Sequence, residues 1–418
     1  MRFLISLAWK NLSRYRKRTI ITASAIAVGI GIYIFFDAWL LGAELDSERN
    51  LIWYETSSIR IMDSQYWEEQ ERLPLDRVVE NPEVVIKMVE EMNIPAVPRI
   101  RFGGEVIFYK DPYEQDGGVP VQFIAIDPER DDRVFPMKQT LESGKYLKSG
   151  KMEIMIGSWF AEDIGAEVGY PLTIVTRTRD GFFQTIDVEI AGIINCPNPM
   201  INNGTIFIPM DVANNYLQME GGVTEMDMSL PLQADVEKTA QHIEERLEEK
   251  GINNLVAKTW KDLAQDYLAI AVQKRAGSNI MLLLVFIIAA VGVSNTMLMA
   301  IYERVRELGM MRALGMKDSQ IRIAFILEAG GIGFIGSVAG TIFGSLIVYL
   351  FSTLGIDYSW IFKNMNVGYR LTGVMYTVWN PEVVITAFIV GIVISMLIAY
   401  IPTRRALKMQ ITDCLRNE

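Results

Sequence analysis

Four apolar runs, each long enough to cross a membrane as a helix, constrain this chain more than any other feature. They lie at Ile20–Leu41, Ile280–Tyr302, Ile321–Phe351 and Glu382–Ile401. About twenty residues at 1.5 Å each cross roughly 30 Å of hydrocarbon. Between the first and second runs, from Glu44 to Ser278, no stretch could span. The arrangement is therefore one helix, a polar domain, then three helices. Half of the 418 residues are hydrophobic, a mixture of membrane and soluble parts. Basic residues orient the spans. Arg2, Lys10, Arg14, Arg16, Lys17 and Arg18 precede the first, Arg304, Arg306 and Arg312 separate the second from the third, and Arg404, Arg405, Lys408 and Arg416 follow the fourth. The positive-inside rule puts all three clusters, and both ends of the chain, on the cytoplasmic side. The first run is too long for a cleavable signal and lacks a small-x-small cleavage site, so it is expected to be retained.

The expected class is thus a membrane protein of four transmembrane α-helices (1+3 arrangement) with a large α+β extracytoplasmic domain between the first and second. The expected parts are 1–18, an interfacial helix; 19–43, 279–302, 321–351 and 381–402, the spans; 44–278, the outer domain; 303–320, a cytoplasmic helix; 352–380, an outer loop; and 403–418, a tail. Within the outer domain, strand patterns fall at Glu105–Phe108, Val121–Ile126, Leu172–Arg177, Thr185–Ile194 and, around an Asn-Gly turn, Asn202–Pro209. Helical patterns fall at Pro82–Met92, Trp159–Gly165, Val212–Met219 and Gln233–Lys250, and two lobes are expected, split near Asp127–Asp132 or Met210. Residues 258–277 read as an amphipathic stalk helix running into the second span. The outer loop, with Tyr358, Trp360, Tyr369, Tyr376 and Trp379, suits interfacial anchoring.

Several chemistries are not marked. Net charge is −10, against a nucleic-acid binder. Cys196 and Cys414 fall on opposite sides of the expected membrane and cannot pair. The lone His242 sits in a charged helix, and no His-x-x-x-His or Cys-x-x-Cys pair offers a metal site. The Gly-Lys pairs at Gly144 and Gly150 lack the remainder of a phosphate loop, so no cofactor is expected on this chain.

The segment ERVRELGMMRALG, Glu303–Gly315, has helical spacing (Val305, Leu308, Met311 or Arg312, Leu314) and a glycine stop. It closely resembles the coupling helix of the MacB/FtsX/LolC-E superfamily of ABC-transporter permeases. VQFIAIDPE, LESGKYL, MIGSWFAEDIGAEVGYPLTIV and IFIPMDVANNYLQM resemble, in order, segments of the outer domain of LolC/E-like members. EAGGIGFIG matches the family's acid followed by glycines, and the tail resembles its closing motif, departing at Thr403, Ile411 and Cys414.

The resemblance implies a permease in the bacterial inner membrane, its large domain in the periplasm. It would work with two copies of a cytoplasmic ABC ATPase that holds the ATP and Mg, a second permease (identical or paralogous), membrane lipid and a periplasmic lipoprotein carrier. Glu303, Arg304, Arg306, Glu307, Arg312 and Gly315 would couple to the ATPase. Phe35, Phe36, Asp37, Trp39 and Leu40 with Met281, Leu284 and Ile288 would meet acyl chains. Asp37, near the outer interface, either serves that site or simply reaches water. Glu328 would pair within the membrane or reach back to the surface. The G-x-x-x-G repeats of Gly336, Gly340 and Gly344 would pack helices within the chain or between two chains. The implied function is lipoprotein release from the outer leaflet. Its rivals are export of peptides or drugs, and FtsX-like transmission of motion to a cell-wall hydrolase.

Overall fold

The structure, a computed structural model, describes residues 12, 14, 16–108, 118–303, 305–357 and 374–407. The chain divides into two compact units, one helical and one built on a sheet.

The helical unit starts with α1, Arg16–Leu51, which outruns the expected first span before a π-helical turn at Ile52–Thr56. In the sheet unit, Asp46–Ala269, strands and helices follow as β1 Ile59–Asp63, α2 Ser64–Glu69, α3 Pro82–Glu90, β2 Ala96–Ile107, β3 Val119–Ile126, β4 Leu141–Gly144, β5 Glu153–Gly157 and α4 Ser158–Ile164. Then come β6 Pro171–Arg177, β7 Phe183–Ile194, α5 Pro199–Gly204, β8 Thr205–Pro209, α6 Met210–Leu217, β9 Glu225–Met228, α7 Val236–Glu249, β10 Leu255–Thr259 and α8 Trp260–Leu263. The chain continues through α9 Gln265–Glu303, α10 Val305–Ala313, α11 Asp318–Leu354, the two-residue strands β11 Ile356–Asp357 and β12 Val374–Met375, and α12 Pro381–Ala406. Among the described residues three helices are long and apolar enough to cross a membrane: Thr19–Thr56, Asp318–Leu354 and Pro381–Arg405.

One ten-stranded sheet fills the sheet unit, in the order β10-β1-β9-β2-β3-β8-β5-β7-β4. β6 pairs with both β2 and β7, so β2, β3, β8, β5, β7 and β6 form a closed circuit of hydrogen-bonded strands. Alternate residues of that circuit, among them Phe102, Phe123, Ile156, Ile174, Ile186 and Ile206, join one large apolar core. On the opposite face Ile124, Ile126, Phe135, Met155 and Phe207 gather in a second, smaller one. The sheet crosses both expected lobe boundaries without a break, because β3 lies beside β8 in parallel register. The expectation of two lobes is corrected accordingly.

Two further expectations change. Asn203 and Gly204 close the short helix α5, whose start is capped by Asn198 accepting from the Met200 N–H at 2.9 Å, so no hairpin turn lies there. The stalk helix begins at Gln265 rather than 258, since Lys258 and Thr259 belong to β10. Thr259 caps α8 in a reciprocal box with Asp262, which stops the strand and starts a separate single turn.

Charged residues stand at alternate positions of β1, β2 and β9, on the face of the smaller core. Arg99 and Asp131 form a fully buried fork, both contacts 2.8 Å, with the guanidinium 3.3 Å from the Phe135 ring centre. Arg60 contacts Asp227 at 2.7 Å and Glu225 at 3.1 Å, and Arg101 meets Glu225 at 3.1 Å. Arg60 donates to the Glu55 carbonyl at 2.8 Å, and Ser57 donates to Asp227 at 2.9 Å, so the cluster holds the turn that follows α1. Ser57 itself has φ +59°, a left-handed backbone in a non-glycine residue. Burial pushes Asp227 up to about 6, outweighing the pull of Arg60. Burial would also raise Glu225, but Arg101 and Arg60 outweigh it there and hold that carboxyl below the ordinary glutamate range.

In the helical unit α11 packs along α1 and α12. A Cβ on Gly336 would lie 2.8 Å from the Ile26 Cβ, one on Gly340 2.9 Å from the Ala27 Cα, and one on Gly344 3.0 Å from the Gly31 Cα. The register advances along both helices, so α1 and α11 run parallel. Gly333 faces Ser395 and Gly330 faces Met396, so α11 and α12 run antiparallel. Segment 374–380 crosses α1 at Ala38 and Gly42 and the last turns of α11 at Val348. Val378 donates to the Ala38 carbonyl at 2.9 Å, and Thr377 to the Val348 carbonyl at 2.8 Å. The Tyr376 carbonyl lies where a Cβ on Gly42 would sit.

Two outcomes follow for the sheet unit. Asp131→Ala strands the Arg99 charge and should cost about 3–5 kcal/mol in denaturant unfolding of the intact chain, while Arg99→Met with Asp131→Leu should recover most of that loss. Asp227, its folded value raised, favours folding below about pH 4, and that contribution is lost as pH rises through about 6. The stability difference between wild type and Asp227→Asn should therefore shift against wild type across that window and stay flat above it.

Candidate functional site

The segment between α9 and α11 is built from its apolar side outward. Val305 and Leu308 of α10 are buried against Ile321, Phe325 and Leu407, with Met311 and Met316 packed at the edge. Gly315, at φ +89°, ends the helix: its N–H reaches the Arg312 carbonyl at 3.0 Å, and that of Met316 reaches the Met311 carbonyl at 3.1 Å. Leu314 leaves the expected buried stripe and is 86% exposed. At about 100° per residue, nine residues from Val305 bring it to the opposite side of the helix.

That opposite side carries a stripe of exposed residues that the apolar pattern does not pick out: Arg306, Met310 and Leu314, four residues apart, with exposed Glu303 at the end of α9 three residues before them. Helical periodicity contained the signal, but the stripe joins two charges to two apolar residues and fits neither a polar nor an apolar face. The other sequence-selected residues divide. Glu307 is 3.3 Å from Arg14, and Arg312 turns back to Asp318 at 3.1 Å. Arg304 lies outside the described residues.

The proposed acyl-chain residues are only partly brought together. Phe35 packs on Phe351 of α11 with ring centres 5.6 Å apart, and Phe36 on Trp39 at 5.5 Å. Asp37 accepts from Asn380 at 3.1 Å, and Leu40 is half-buried. Leu284 is exposed on α9, and the side chains of Met281 and Ile288 lie outside the description. Glu328 is buried within α11. Of the aromatic loop residues, Tyr376 and Trp379 are exposed, and Tyr358, Trp360 and Tyr369 lie outside the described residues, as do Ile411, Cys414 and most of 1–18.

The sheet unit offers two surfaces. A cleft of about 220 Å³ opens beside the charge cluster, lined by Tyr54, Glu55, Arg101, Gln122, Met200 and Asn203 among others. The tip of the β6–β7 hairpin exposes Phe182 and Phe183, the latter with Arg177 4.9 Å from its ring centre. The tip is ordered by the Thr178 N–H bonding the Phe182 carbonyl at 2.8 Å, and Gly181 supplies its positive φ. Cys196 is buried, which pushes its thiol up to about 12. No cluster of metal-ligating side chains occurs among the described residues.

The profile of the MacB-like periplasmic core domain matches residues 19–246, and that of the FtsX-like permease C-terminal region matches 279–411. An uncharacterised ABC transporter permease of Methanocaldococcus jannaschii is 22% identical over 99% of this chain and 98% of its own. LolC of Xylella fastidiosa, a lipoprotein-releasing system transmembrane protein, is 22% identical over 72% of this chain and 73% of its own. Cell division protein FtsX of Streptococcus pneumoniae is 35% identical over 32% of this chain and 41% of its own. The first profile alone spans more than half of the sequence, and the second takes in α10 with the helices on either side. The chain belongs to the MacB/FtsX superfamily of ABC-transporter permeases.

Proposed function

We propose that this chain is the permease subunit of a transporter that couples ATP hydrolysis in a separate subunit to release of lipoproteins from the outer leaflet of the bacterial inner membrane. The observation that carries the coupling half is the exposed stripe Glu303, Arg306, Met310, Leu314. It combines charges for orientation with apolar side chains that a partner surface can desolvate, on a helix anchored through Val305 and Leu308. In this reading Ile280–Tyr302 of α9 completes a set of four spans, both termini and α10 face the cytoplasm, and the sheet unit faces the periplasm. Two ATPase copies, holding ATP and Mg, serve two permeases, identical or paralogous.

The cargo half is supported by similarity to LolC over most of the chain. Membrane lipid and acyl chains would meet the outer parts of α1 and α9, with Phe36, Trp39, Leu40 and Leu284 the better placed. Phe35 and Asp37 are engaged by Phe351 and Asn380. A soluble carrier would find an apolar landing point at Phe182 and Phe183. The similarity to FtsX, confined to a third of this chain, favours a second reading in which the same coupling moves a soluble partner without cargo.

Reconstitution with the partner ATPase and a triacylated lipoprotein tests the reading. ATP-dependent release to a soluble carrier supports it, and turnover without release moves the protein to the second reading. Leu314→Asp should weaken ATPase association by about 2 kcal/mol, roughly thirtyfold, with membrane insertion unchanged. Glu303→Lys with Arg306→Glu should abolish stimulation of the ATPase. Phe182→Ser with Phe183→Ser should lower hand-over to the carrier while ATPase stimulation stays at the wild-type level.

A further inference from the structure

We infer that α1, α11 and α12 move as one rigid body. A displacement of α10 is therefore carried by all three helices together. This rests on the coupling role proposed for α10 and goes beyond it by naming the helices that follow it.

The packing argues for it at three levels. At the start of α11, Ile321 and Phe325 bury Val305 and Leu308, so a displacement of α10 is applied to α11. Along the middle, Gly336, Gly340 and Gly344 bring α11 against the backbone of α1. Gly340 and Gly344 come closest to main-chain atoms of Ala27 and Gly31, with the Phe343 ring seated against Gly31. Ile30 of α1, Ser337 of α11 and Gly391 of α12 meet at one point: a Cβ on Gly391 would lie 2.5 Å from the Ser337 Oγ and 2.6 Å from the Ile30 Cδ1. At the far end, segment 374–380, which leads into α12, is hydrogen-bonded to α1 through Ala38 and to α11 through Val348.

Separating α1 from α11 would expose backbone grooves that lipid chains fill poorly, and would break these two hydrogen bonds where few substitutes exist. A side-chain interface can change rotamers and slide. Here the α1 side chains that enter the seam are Ile26, Ile30 and Ile34, whose χ1 is nearly fixed in a helix, so little can re-pack and the seam holds its register or comes apart.

Distances between spin labels at exposed positions test the inference in the full chain, reconstituted with its partner ATPase and diluted with unlabelled protein. The pairs are Val28 with Ile342, Ile342 with Val393, and Val28 with Leu284, all exposed on their helices. Between nucleotide-free and ATP-trapped states the first two should stay within about 1–2 Å, the scale of ordinary helix adjustment, while Val28–Leu284 changes by more. A change of about a helical turn, roughly 5 Å, in Val28–Ile342 would overturn the rigid body. If all three distances hold while ATP turns over, the rigid body stands and it is the proposed coupling that fails.

Discussion

Two helix backbones in van der Waals contact set the terms for the helical unit. The seam between α1 and α11 exists because Gly336, Gly340 and Gly344 have no side chain where Ile26, Ala27 and Gly31 arrive. In hydrocarbon there is no water to expel, so such contact and the few available hydrogen bonds supply most of the association. The rest of the unit is arranged around it. α12 meets the other side of α11 through small residues of its own, and segment 374–380 ties the far ends. α10 is then left as the element with one face committed inward and one open.

The sheet unit is organised on a different principle. Its larger core is ordinary strand alternation around a closed circuit, but on the other face ionic groups occupy positions where apolar residues would have sufficed. Three arginines meet three carboxylates there almost without solvent. Such clusters are no bargain in stability, since desolvation offsets most of the attraction. What they supply is direction: a guanidinium fork accepts few arrangements of its partners. The Glu55 carbonyl of the π-helical turn is one of those partners, so that turn is fixed more strictly than greasy packing would fix it.

Much of this could be read in the sequence, and the exceptions have physical causes. The apolar runs, five of the ten sheet strands and the helices at 82–90 and 236–249 follow from local periodicity, which is a property of neighbours in the chain. Leu314 falls off the buried stripe because three successive spacings of three each fall about 60° short of a full turn, half a turn in all. Lys258 and Thr259 looked helical by amphipathicity, and only pairing with Ile59 and Arg60 shows them to be strand. Asn203-Gly204 has the composition of a hairpin but ends a helix, because the flanking strands pair with others. The charge cluster was visible as R-I-R and E-M-D, charges alternating with apolar residues. Its burial required knowing that β1, β9 and β2 are neighbours, and no local pattern carries that.

The pairing of β1 with β10 has a wider meaning. These are the first and last strands of the sheet unit, in register from Ile59–Thr259 to Asp63–Leu255. Cross-strand partners sit about 5 Å apart. Seen from the helices, some two hundred residues therefore form a loop whose ends nearly touch. A body with adjoining ends can be enlarged, trimmed or exchanged without asking the flanking helices to move.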